Sequence, residues 1–87
     1  MAQLAREFSG HPIVVEVILK AQWKILLGER IGSNSAPVSF QEGVLQVTAS
    51  DERWKHELSR LSEEIRGRLN GFFGSETVRR IYFLEKG

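Results

Sequence analysis

Residues 37–49 read PVSFQEGVLQVTA, and their alternation decides the fold. Val38 and Phe40 alternate with Ser39 and Gln41, and beyond Gly43 the residues Leu45, Val47 and Ala49 alternate with Gln46 and Thr48. A two-residue period sends successive side chains to opposite faces of a sheet, so each run is a strand with one apolar face and one polar face. The intervening QEG puts glycine where a three-residue hairpin loop needs a positive φ. The stretch is a β-hairpin with one face that must be covered, and the flanking sequence has to supply the cover.

Upstream, Pro12 suits a first helical position, where a missing N–H costs nothing. From there to Leu27 the chain is apolar except for Gln22 and for Glu16, Lys20 and Lys24, which recur every fourth residue as one polar stripe. Glu16 four residues before Lys20 is a favourable charge order on a helix. So much apolar circumference predicts a helix that is central in the fold or meets another molecule. Gly28 is placed to end it in a left-handed cap, and GERIGSNSAP continues as a turn or an extra helical turn and a loop. Residues 1–11 form an N-terminal arm.

Downstream, Ser50 and Asp51 offer an N-cap. Trp54, Leu58, Leu61, Ile65, Leu69 and Phe72 then follow at spacings of three and four, an amphipathic stripe. Gly67 is a candidate break into two helices, because glycine is poor in a helix interior. ETVRRIYFLE is a last strand, with Ile81 and Phe83 on one face and Arg80, Tyr82 and Leu84 on the other. The class is α+β, in the order α-β-β-α(-α)-β. A three-stranded sheet carries its helices packed on one face, leaving an open face of Ser39, Gln41, Gln46, Thr48, Arg80 and Tyr82.

The chain has 87 residues, which makes a single domain over 1–87. It has no cysteine, so disulfides, thiolate metal sites and cysteine nucleophiles are excluded. Twelve Lys and Arg against eleven Asp and Glu leave a net charge of +1, so any electrostatic site must come from local clustering. No stretch reads as a membrane span or a signal peptide, and a cytoplasmic protein without membrane association is expected. His11 and His56 have no nucleophile or third ligand grouped with them. No enzyme, cofactor or metal is expected. GFFG, residues 71–74, has the spacing of a backbone-gripping glycine loop, but two phenylalanines between the glycines suit a helix cap with an apolar plug better. GERIG has the wrong spacing for a phosphate loop.

The candidate nucleic-acid residues are Arg79, Arg80 and Tyr82 with Lys55, since an aromatic beside cations on an open sheet is how single-stranded bases stack while phosphates are neutralised. Trp23 and Lys24 are the candidate partner-binding pair, with the indole expected to be only partly covered at the border of the polar stripe.

The stretch from about Ile18 to Leu84 resembles the DciA family of bacterial replicative-helicase loaders. The resemblance rests on Trp23 with Gly28 five positions on and Pro37 nine beyond that, then EGVLQV, ERWKHEL, RLN and VRRIYF in order. It implies a KH-like domain that binds a replicative DNA helicase of the DnaB type, promotes its loading, and has affinity for single-stranded DNA without hydrolysing nucleotide. It also puts Trp23 and Trp54 on the family's recurrent tryptophan positions. The alternative is a self-associating protein-interaction module without a DNA role, which the apolar first helix motivates; a homo-oligomer would follow.

Overall fold

The computed structural model describes residues 11–85. Helix α1 (Pro12–Leu27) runs through one short turn of helix, α2 (Glu29–Gly32), into strands β1 (Ser35–Gln41) and β2 (Val44–Ala49). Helices α3 (Glu52–Arg60) and α4 (Ser62–Phe73) follow, and β3 (Arg80–Glu85) comes last. The expected order holds with α2 added. The arm expected over residues 1–11 lies outside the described residues except for His11.

In the sheet β2 is central, antiparallel to β1 and parallel to β3. Parallel neighbours cannot be joined by a tight turn and need a crossover of a dozen or more residues; α3 and α4 are that crossover. All the helices lie on one face. Val15, Leu19, Trp23 and Leu27 of α1, Leu58 of α3, and Ile65, Leu69 and Phe73 of α4 are buried with Phe40, Leu45, Val47 and Phe83 of the strands. The four-residue step of the α1 set gives a helix face that stays on the sheet over its whole length.

The hairpin is tighter than expected. Gln41 pairs directly with Val44, so the turn is Glu42–Gly43 alone, with φ of 51° and 81°. Two central residues at positive φ make the turn whose twist matches that of its strands. Within β1, Pro37 pairs with Val47 and Ser39 with Gln46, which leaves Val38 as an extra residue. This bulge shifts the phase of the strand: Pro37 and Phe40 are buried, whereas Val38, expected on the apolar face, is 41% exposed.

The same region protects an outer strand from unwanted pairing. Pro37 has no N–H to offer, the bulge bends the edge, and the N–H of Phe40 donates to the Glu16 carboxylate of α1 at 2.9 Å.

Gly28 does end α1, but with φ 91° and ψ 163°, an extended conformation essentially reserved for glycine rather than the left-handed helical one expected. The helix break in the second half falls at Leu61, not Gly67. The Leu61 N–H reaches both Glu57 and Leu58 carbonyls at 3.1 Å, closing α3 with a tightened turn. Ser62, Glu63 and Glu64 then open α4, an acidic first turn that complements the helix dipole. With that restart, Phe73 rather than Phe72 is fully buried, and Phe72 packs edge-on against it at 5.2 Å between ring centres.

Candidate nucleic-acid interface and partner face

The uncovered side of the sheet is a grid fixed by the strand registers. Across it run Gln41, Val44 and Arg80, then Ser39, Gln46 and Tyr82, then Ala36, Thr48 and Leu84. All six residues expected there from the sequence face outward. Their hydrogen bonds are mostly to each other: Ser39 Oγ donates to Gln46 Oε1 at 3.1 Å, and Thr48 Oγ1 to the Ala36 carbonyl at 3.3 Å. The face is polar on its β1 side and aromatic, apolar and cationic along β3, where Tyr82 is 48% and Leu84 41% exposed.

Arg80 and Tyr82 are two residues apart on one strand, so both project from the open face. The Arg80 guanidinium donates to the Tyr82 hydroxyl at 3.2 Å. That bond, with the charge interaction between the two groups, pushes the Arg80 pKa further up. It also holds the cation at the hydroxyl end of a ring that is 48% exposed. A flat π surface with a fixed cation at its rim fits a base over the ring and a phosphate against the guanidinium.

The four nucleic-acid candidates do not form one cluster. Arg79 precedes β3 by one residue and turns toward the hairpin end, where its N–H donates to the Gly43 carbonyl at 2.8 Å and it lines a cleft with Glu42 and Glu76. Its aliphatic stem lies against Gly43, where an added Cβ would sit 3.0 Å away. Lys55 is half-buried on α3, in the helical layer behind the sheet. The structure brings Arg80 and Tyr82 together and sends Arg79 and Lys55 elsewhere. Among the described residues none of Lys55, Arg79 and Arg80 has a carboxylate within 4.0 Å, whereas Lys20, Arg60, Arg66 and Arg68 each do.

The partner pair divides in the same way. Trp23 is only 4% exposed, so the expectation of a partly covered indole is corrected. Its N–H donates to the buried Ser35 hydroxyl at 3.0 Å. Burial satisfies both ends of that residue, the apolar ring in the core and the polar N–H on a partner. Lys24 is exposed, beside residues that the sequence reading did not single out. Ile13 (81% exposed), Val17 (61%) and Ile25 (78%), with exposed Ala21 between them, recur every fourth residue along the outside of α1. The signal for them was present in the apolar circumference of this helix, but which side faced outward depended on where the sheet lay.

Trp54 is partly buried at the foot of α3, with the Arg30 guanidinium 5.4 Å above its ring. His56 is exposed and 3.9 Å from Glu52. Among the described residues no group of three or more possible metal ligands occurs, and no helix is long and apolar enough to cross a membrane.

Fold and surfaces define a small α+β domain whose features are two exposed faces, one of mixed aromatic and cationic character on the sheet and one apolar on a helix. The chain belongs to the family described as Dna[CI] antecedent, DciA, whose model matches residues 3–83. Similar proteins include a UPF0232 protein of Mycobacterium ulcerans, 30% identical over 73 residues, which are 84% of this chain and 38% of that protein. A UPF0232 protein of Mycobacterium marinum matches to the same extent, and one of Mycobacterium tuberculosis is 25% identical over 77 residues, 88% of this chain and 41% of that protein. The chain spans about two fifths of the length of these relatives.

Proposed function

We propose that this domain is a non-enzymatic accessory of DNA replication in the bacterial cytoplasm that helps load a replicative helicase of the DnaB type, holding single-stranded DNA on its open sheet face and the helicase on α1. Family membership supports the loading role. The observation that carries the DNA half is the Arg80–Tyr82 pair, a charged donor fixed 3.2 Å from the phenol oxygen of an exposed ring. The protein half rests on the stripe of Ile13, Val17 and Ile25 beside Lys24. A short apolar stripe with cations at its border suits the apolar face of a partner's amphipathic helix that carries acidic flanks.

With a net charge of +1, the domain by itself contacts few phosphates, and its affinity for single strands is modest and salt-sensitive. The test is fluorescence anisotropy of a labelled single-stranded oligonucleotide at low and moderate salt, alongside biolayer interferometry against the DnaB-type helicase of the same organism. Binding of either, lost on Arg80→Ala for DNA or on Val17→Asp for the helicase, is the expected outcome. Failure to bind both at low salt would sink the proposal.

A second reading has its own observation. The α1 stripe is apolar enough to serve a protein-interaction module with no DNA role, in which case Val17→Asp would abolish the only binding and Arg80→Ala would change nothing.

A further inference from the structure

The two outer strands of the sheet are treated differently. On β1 the edge is blocked by Pro37, by the bulge at Val38 and by the Glu16 carboxylate on the Phe40 N–H. Among the described residues nothing comparable guards β3. The Arg80 N–H donates inward, to the Gly43 carbonyl of the hairpin at 3.1 Å. Backbone groups alternate in direction along a strand, so the N–H and C=O groups of Ile81 and Phe83 point outward, away from β2. Among the described residues no backbone or side-chain group takes them up. The strand has no proline and no bulge, and Ile81, Tyr82 and Phe83 are all strong strand formers. A straight, unguarded edge of this kind is a template for another strand.

The sheet face is also incomplete. It offers one aromatic ring and one cation, both at its β3 margin, whereas platforms for single strands present successive rings along a charged track. We infer that β3 pairs antiparallel with β3 of a second copy, so that two three-stranded sheets become one of six strands and the two Arg80–Tyr82 pairs meet at its centre. This inference rests on the sheet face being the DNA site.

The register follows from the strand itself. A two-fold axis at Tyr82 sets Ile81 opposite the partner's Phe83, and their outward backbone groups form the hydrogen-bonded pairs. Tyr82 then faces the partner's Tyr82 in a non-hydrogen-bonded pair, where side chains approach most closely. Arg80 lies opposite the partner's Leu84 on the open face. A two-fold axis normal to the sheet keeps both open faces on the same side. The same strand thus complements itself in backbone and in apolar contact, Tyr82 on the partner's Tyr82 and Ile81 on the partner's Phe83, which selects a second copy over an unrelated strand as the occupant.

The absence of cysteine from the sequence makes a direct test available. In this register Tyr82→Cys brings two thiols together at a Cα separation of about 4.5 Å, inside the range a disulfide spans. Mild oxidation is expected to convert Tyr82→Cys into a covalent dimer and to leave Gln41→Cys, exposed on the same face at the other margin, largely monomeric. Light scattering of the unmodified chain without DNA is expected to show its mass rising toward twice that of the protomer with concentration. A chain that stays monomeric throughout, or equal cross-linking of the two cysteine variants, would overturn the pairing. The two readings fail separately: a monomer that still binds DNA through Tyr82 removes the pairing alone, and a dimer that binds no DNA removes the DNA site alone.

Discussion

The indole N–H of Trp23 donates to the Ser35 hydroxyl at 3.0 Å, and that hydroxyl donates in turn to the Ile31 carbonyl at 2.6 Å. Three elements are tied by this relay: the last turns of α1, the short α2, and the first residue of β1. It explains why a tryptophan stands five residues before Gly28. The chain turns out of α1 at that glycine, makes one helical turn, and comes back so that β1 starts against the indole. Gly32 lets α2 come this close, since a Cβ there would lie 2.8 Å from the Lys24 Cα.

Trp23→Phe should therefore destabilise the domain without changing its surface. Ser35 loses the donor that its buried oxygen accepts, which costs about 1–3 kcal/mol, and the missing second ring leaves a cavity whose cost adds to it. Urea unfolding should show a lower midpoint with an unchanged slope. Retention of the midpoint would mean that the relay contributes nothing.

Glu16 gives the fold an acid-sensitive clasp. Its carboxylate accepts the Phe40 N–H and an ion pair from Lys20 at 3.1 Å, and these hold its pKa below the ordinary glutamate value, the backbone bond being the larger cause. Glu63 is lowered in the same direction by Arg66. A folded-state pKa below the unfolded one means that the stabilisation is fully present above the unfolded value, about 4.3, and is lost as pH falls through the folded one. The melting temperature should fall below about pH 4.5, and less steeply in Glu16→Gln. Identical acid limbs for the two proteins would refute the clasp.

Asn70 holds the entry to β3. Its amide donates to the Val78 carbonyl at 2.9 Å and accepts the Val78 N–H at 2.8 Å, a two-point clamp from α4 onto the segment leading into the last strand. Val78 itself is fully buried. Asn70→Asp keeps the shape and the acceptor but removes the donor, leaving the carbonyl facing a carboxylate. A loss of about 1–3 kcal/mol in chemical denaturation is expected. Faster hydrogen exchange along β3 than along β1 would place the effect at the clamp.

On the proposed DNA face, substitutions at Tyr82 and Arg80 separate stacking from charge. Tyr82→Ala should weaken single-stranded DNA binding by roughly fivefold to a hundredfold or more, the worth of one stacked base. Tyr82→Phe should preserve it, because the ring is what stacks. Arg80→Ala should instead flatten the salt dependence by about 0.7 in the log–log slope, the share of one phosphate on a single strand. All three are measured by anisotropy titration, and equal losses for Tyr82→Phe and Tyr82→Ala would count against stacking.

The sequence by itself determined what local chemistry determines. Period and caps placed α1 from Pro12, the hairpin, Asp51 as N-cap of α3 with its carboxylate on the Trp54 N–H at 2.8 Å, and the outward face carrying Arg80 and Tyr82. Such signals act within a few residues, so they survive without knowledge of the rest of the chain. Tertiary structure decided what depends on partners distant in sequence. The order of strands, with β2 between an antiparallel and a parallel neighbour, left β3 as an outer strand. The bulge at Val38 turned that side chain outward because the pairing of Pro37 with Val47 and of Ser39 with Gln46 left it no partner. Packing against β1 chose which side of a nearly all-apolar α1 went inside, burying Trp23 and exposing Ile13, Val17 and Ile25. Arg79 and Arg80, adjacent in the chain, parted because one lies against the hairpin turn and the other already belongs to a strand, where neighbouring side chains must point to opposite faces.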